Sequence, residues 1–143
     1  MKRLIFTLAF VLAAAATPAV AQQSGGVRVE FQGPGGHSFG AYGRVSALHA
    51  AARAVILIQK ALPAGSYQVT NLTGGNSVNA IASDGLIELK LTAGSATAYE
   101  ALVTAVTKAA AEGAEAENAF RGVKSGDLTS GAPATVRSSV TRF

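Results

Sequence analysis

Cysteine is absent from the 143-residue chain, and histidine occurs only twice. No disulfide can form, so stability has to come from a packed core or from association. A zinc site needs three or four His, Cys, Asp or Glu ligands converging on one point. Beyond the N-terminal segment the chain offers His37, His49, Asp84, Asp127 and scattered glutamates, with no His-Glu-x-x-His, no His-x-Asp and no adjacent acid pair. A metal site is therefore not expected from this chain alone, and no resident cofactor is implied. A nucleophilic triad is equally unsupported: Ser38 abuts His37, but neighbours on a loop do not face each other, and no strand-to-helix nucleophile elbow is present. Charge is sparse at 14%. Without Lys2 and Arg3, ten basic and eight acidic side chains remain, a net of +2, and the basic ones form no stripe and no pattern with aromatics. That excludes a nucleic-acid-binding surface of the usual kind.

A long apolar run occurs once, from Leu4 to Ala16, broken only by Thr7. Met1-Lys2-Arg3 precedes it, and Thr17-Pro18-Ala19-Val20-Ala21 follows with an Ala-x-Ala ending. This three-part pattern reads as a secretory signal peptide over residues 1–21, with an apolar core too short to span a bilayer. The expectation is an exported chain, periplasmic or secreted, that begins at Gln22 and has no membrane attachment after cleavage. The remainder has the length of one small domain.

Val27-Arg28-Val29-Glu30-Phe31 alternates apolar with charged, the signature of a strand with one buried face. From about Arg44 to Leu62 the period changes to three and four. Val45, Leu48, Ala52, Val55, Ile56 and Leu62 form a stripe, Ser46 or Gly43 begins the helix, and Pro63-Ala64-Gly65 ends it. His49 within it reads as a packing residue. Ser66 to Leu72 is a second strand, and Leu86 to Thr92 a third with Ile87, Leu89 and Leu91 inward. A second helix is expected from about Thr97 to Ala116, striped by Ala101, Leu102, Ala105, Val106 and Ala109 and interrupted by Gly113. Ser95 or Thr97 is its N-cap, with Glu100 in the first turn. Residues 115–120 show no clear period. The segment 118–143 reads as a basic tail or a final strand, and its Gly, Ser and charge content favours the tail. Strand, helix, strand, strand, helix is a split β-α-β order. The expected fold is an α+β ferredoxin-like sandwich, with an antiparallel sheet of three to four strands and two helices on one face.

Two glycine motifs remain. Gly33-Pro34-Gly35-Gly36-His37-Ser38 precedes the first helix, and Gly74-Gly75-Asn76-Ser77-Val78-Asn79-Ala80-Ile81 precedes the third strand. Read alone, the first is a glycine-rich connection with a solvated histidine, and it lacks the Gly-Lys-Ser/Thr ending of a phosphate loop. As a pair they resemble the lid, or dimerisation, domain of the aminoacylase/carboxypeptidase family of zinc exopeptidases, over roughly Val27 to Glu112. The resemblance implies a lid domain over residues 22–117. It implies that His37 reaches across a dimer to a partner's active site, contacts the scissile carbonyl and stabilises the oxyanion. It implies that Asn79 lies near the substrate carboxylate, in a turn shaped by Gly74 and Gly75. Lys90 stands nearest to the arginine that pairs with that carboxylate in many members, but it is a point charge without the bidentate fork.

The family's two-zinc catalytic domain has no counterpart here, so zinc is expected only in a complete member. A truncated gene product and a stand-alone lid both account for that. The expected function is a non-catalytic dimerisation and substrate-lid module, homodimeric or docked on a separate zinc exopeptidase catalytic domain. The alternative is a component of a metallopeptidase or amidohydrolase acting on peptide or N-acyl amide bonds, with His37 supplied in trans.

Overall fold

The computed structural model describes residues 22–143. The signal-peptide reading of 1–21 lies outside the described residues. Four strands make the sheet: β1 (Gln23–Gln32), β2 (Tyr67–Thr73), β3 (Asp84–Ala93) and β4 (Arg137–Arg142). Their spatial order is β2-β3-β1-β4, every pairing antiparallel. Helices α1 (Ala47–Ala61) and α2 (Ala96–Phe120) cover one face, α1 towards β3 and β2, α2 towards β4, β3 and β1. This is the ferredoxin-like α+β sandwich.

Alternation decides which face is covered. Val27, Val29 and Phe31 of β1 and Ile87, Leu89 and Leu91 of β3 are all buried, while Arg28 and Glu30 face outward. In register, Val27 opposes Leu89 and Val29 opposes Ile87, so the two central strands stack their apolar side chains under the helices. Each such side chain contributes about 1.5–3 kcal/mol on full burial, so these six dominate the core. On the open face Arg28 bonds Glu88 at 2.7 Å, an exposed pair of little energetic weight.

The helix caps follow the sequence. The Ser46 and Ser95 hydroxyls accept from the backbone N–H groups of His49 and Ala98, at 3.3 and 3.1 Å. Several expectations are corrected. First, α1 itself buries Ala47, Ala50, Ala51, Ala54 and Ile58, and of the expected stripe only Val45 and Leu62, which flank the helix, are buried. Leu48 and Val55 are half-buried on its flank, and Ala52 and Ile56 are exposed. The reason is the closeness of α2: a Cβ placed on Gly113 would lie 2.8 Å from the Ala54 nitrogen and 2.9 Å from the Ala50 oxygen. Helices in backbone contact admit only small residues between them, so Gly113 is a packing residue inside a continuous helix and does not interrupt it.

Second, α2 runs on to Phe120 because Ala110, Gly113, Ala114 and Glu117 keep the helical spacing of its buried face. A charged residue at a core position hides that period. Glu100 lies just past the first turn and forks onto Arg142 of β4, raising the Arg142 guanidinium above its usual value by hydrogen bonding and charge. Third, the last segment is a strand and not a tail. Val136 is buried, and its backbone N–H and C=O are both held by the Asn118 side chain, at 2.8 and 3.0 Å. Val140 then pairs with Val29. A short hairpin, Leu128–Thr129 against Ala132–Pro133, connects α2 to β4.

Candidate functional site

The two glycine motifs meet at one end of the sheet. Where β1 ends, the Gly33 N–H donates to Ser83 at 2.8 Å. Gly36 and His37 then form a two-residue ladder with Ile81 and Ala80, and the Ser38 N–H donates to the Asn79 carbonyl at 2.9 Å. Gly36 has φ 138°, and a Cβ there would sit 2.6 Å from that of Ala41 and 3.0 Å from Arg44 Nη1. Glycine is the residue that fits such a position. Arg44 in turn donates from Nη1 to the Gly35 carbonyl at 3.1 Å and from Nη2 to Ser130 Oγ of the C-terminal hairpin at 3.3 Å.

His37 and Asn79 are therefore side by side and exposed, with His37 Nε2 and Asn79 Nδ2 3.3 Å apart. The Phe39 N–H points at His37 Nδ1, also at 3.3 Å. A neutral imidazole accepts at one nitrogen only, so acceptance at Nδ1 puts the proton on Nε2. Nε2–H then needs an acceptor. Turning the Asn79 amide over supplies its oxygen to Nε2 and its nitrogen to Ser77 Oγ, which contacts the other side of the amide. In that arrangement the His37 Nε2–H is held by Asn79 at the loop surface.

Gly74 and Gly75 form the turn after β2; a Cβ on Gly74 would meet the Asp84 oxygen at 2.5 Å, and Gly75 has φ 76°. Lys90 is not brought to this place. It lies on the open sheet face between Gly26 and Gln68, six residues along β3 from Asp84 and thus roughly 20 Å away. Gly36-His37-Ser38-Phe39-Gly40 has the lettering of a nucleophile elbow, but it runs through a turn and α1 begins only at Ala47, so Ser38 gains no such setting.

A buried ionic cluster lies behind the junction and was not legible in the sequence. Glu117 is fully buried, and its carboxylate accepts from the Ser46 N–H at 3.1 Å, Arg53 Nε at 3.1 Å and Arg121 Nε at 3.2 Å. His49 Nδ1 is 3.8 Å away. Arg53 and Arg121 both stack on Phe120, at 5.0 and 4.9 Å from its centre. The Glu117–Arg121 spacing of one helical turn was the available signal. Between this cluster and the glycine motifs opens a cleft of about 600 Å³ whose lining includes Tyr42, Arg44, Leu48, His49, Val78 and Arg121. Among the described residues no three His, Cys, Asp or Glu side chains come together as metal ligands. The donor set of a metal centre is thus not met within them.

Comparison with known proteins agrees with this architecture. No curated protein sequence matches the chain. Among solved structures, an aminobenzoyl-glutamate utilization protein from Klebsiella pneumoniae superposes with a TM-score of 0.64 at 16% identity, over 89% of this chain and 31% of that one. A hydantoinase/carbamoylase family amidase from Burkholderia ambifaria gives 0.64 at 17% identity, over 87% and 28%. A dinuclear metal binding peptidase of the M20 family from Bacillus subtilis gives 0.57 at 14%, over 85% and 26%. At these identities the likeness is one of fold, and the chain spans under a third of each relative. The family model described as the peptidase dimerisation domain matches residues 22–118, which take in β1 through nearly all of α2 and both glycine motifs. The chain belongs to the peptidase dimerisation domain family, the lid module of M20-type peptidases and amidohydrolases.

Proposed function

We propose that this chain is an exported, non-catalytic lid that pairs with a second copy of itself through strand β2 and the outer flank of α1. One observation carries the reading. β2 is an edge strand bonded only to β3, and beside it α1 turns a second apolar face away from the core. Ile56 is 51% exposed and Leu72 of β2 43%, with Ala52 exposed and Leu48 and Val55 half-buried along the same flank. A free edge next to an apolar helix flank is the kind of surface that sheets cover by pairing. Two copies joined edge to edge would make one continuous sheet. Sedimentation of the chain from residue 22 tests this. A dimer is expected at micromolar concentration, and Ile56→Glu with Leu72→Glu should give a folded monomer. A natural chain that stays monomeric at high micromolar concentration refutes the pairing.

A second reading is favoured by the exposed His37–Asn79 pair. In it the lid docks on a separate catalytic domain, which supplies the metal (zinc, by the family resemblance) and the general base. His37 contributes its Nε2–H, which exchanges the Asn79 acceptor for a developing oxyanion and steadies it. Removing one such donor costs about 10²-fold in turnover. His37→Ala should therefore lower the activity of a reconstituted peptidase or amidohydrolase by that factor. Unchanged turnover would leave the chain as a dimerisation module only.

A further inference from the structure

We propose that the cleft between the glycine motifs and the α1–α2 junction binds a small organic monocarboxylate, at a site distinct from the His37–Asn79 pair. Its volume of about 600 Å³ lies within the range of small-molecule sites. Neither His37 nor Asn79 lines it. Two guanidiniums and an imidazole enter from three separate elements: Arg44 from the loop before α1, Arg121 from the end of α2 and His49 from α1. No aspartate or glutamate is among the lining residues.

The one acid in the adjoining cluster is Glu117, which is fully buried and engaged by the Ser46 N–H, Arg53 and Arg121. Its single charge is already outnumbered by those two guanidiniums, and Arg44 adds a third positive charge at the rim. Donors also remain free. Arg121 bonds Glu117 through Nε, which leaves the N–H groups of both terminal nitrogens for another acceptor. Arg44 uses one N–H of each terminal nitrogen on Gly35 and Ser130 and retains the others.

The chemistry of the walls selects among anions. A planar carboxylate matches a guanidinium edge with two parallel hydrogen bonds. Tyr42, Leu48, Val78 and Ile81 supply apolar surface, which suits a body attached to that carboxylate and disfavours a small, fully hydrated ion. The ligand class is thus a carboxylate carrying an apolar group, either a free acid or the C-terminus of a peptide. The site is formed within one chain, and Leu48 is the lining residue it shares with the proposed pairing flank.

The test is a ¹⁵N–¹H NMR titration of the chain from residue 22 with benzoate and with its neutral isostere benzamide. Benzoate is expected to shift the amides of residues 42–49, 74–82 and 121, with benzamide at least about tenfold weaker. Arg44→Gln with His49→Ala leaves the hydrogen bonds of Ser46, Arg53 and Arg121 to Glu117 in place and should weaken benzoate about tenfold. A short peptide ending in Leu, compared with its C-terminal amide, separates the two ligand sources. Preference for the free peptide terminus over benzoate assigns the site to chain ends, and preference for benzoate assigns it to free acids. Equal binding of benzoate and benzamide overturns the proposal, as do shifts confined to His37 and Asn79 or an unaltered double variant.

Discussion

The contact between α1 and α2 and the junction of the two glycine motifs are both built from glycine and small residues, for opposite ends. In the helix pair, Gly113 removes a side chain so that two backbones touch, and everything around it is buried. In the junction, Gly36 and Gly75 hold positive φ so that the backbone turns, and the side chains beside them, His37, Phe39 and Val78, stand in solvent. The same residue closes one region and opens the other. A substitution should therefore reveal itself as lost stability in the first region and as altered presentation in the second.

The largest effect is expected at Gly113. Valine there would drive its side chain into the Ala50–Ala54 backbone, which cannot yield without separating the helices. Overpacking against backbone costs about 3 kcal/mol or more, and urea unfolding of Gly113→Val measures it. A loss below about 1 kcal/mol would show that the helices slide apart cheaply. Next comes Glu117→Gln. It keeps the shape but takes the charge from between Arg53 and Arg121, whose side chains are 37% and 25% exposed. Breaking a fully buried pair costs about 3–5 kcal/mol; the water that reaches these arginines should lower that to about 2 kcal/mol. Replacing Arg53 by methionine in the same background should recover part of the loss, since one unpaired cation is then gone. No recovery would mean that the Ser46 N–H, and not the guanidiniums, is the partner that matters.

How much of this was legible follows the same division. Strands β1 and β3 were readable because alternation at Val27–Phe31 and Ile87–Leu91 reports one wet face and one dry one. The serine caps were readable because capping is local. The inward face of α1 was not, since a rule that weights bulk selects Leu48, Val55 and Ile56. Alanines win the core only because Gly113, distant in sequence, brings α2 so close. The end of α2 and strand β4 were obscured for a related reason. Glu117 and Asn118 are polar residues whose burial makes sense only once Arg53, Arg121 and Val136 are in place around them. At the junction, the two glycine motifs pointed to His37 and Asn79, which the fold sets 3.3 Å apart, whereas Lys90 was placed by strand position alone and lies elsewhere. Arg44 gave no local signal, because its partners are Gly35 and Ser130.

Arg44 supplies the smallest expected change in stability and the sharpest test of the comparison. Its two bonds run over exposed or half-exposed groups, so Arg44→Ala should cost at most about 1 kcal/mol. Yet the guanidinium is packed 3.0 Å from where a Gly36 Cβ would stand, and it ties the loop carrying His37 to the C-terminal hairpin. Without it, the loop is held by the ladder of Gly36 and His37 with Ile81 and Ala80 and by the Gly33, Ser38 and Ala41 N–H bonds. The imidazole ¹⁵N shifts of His37 should then move from those of a ring protonated on Nε2 towards a mixture of both tautomers, while the melting curve barely changes. Ser130→Ala, which removes only the hairpin contact, should produce a smaller movement in the same direction. Unaltered His37 shifts in both variants would mean that the ladder alone fixes the ring. The junction would then be as self-sufficient as the helix pair, and the contrast between the two regions would fail.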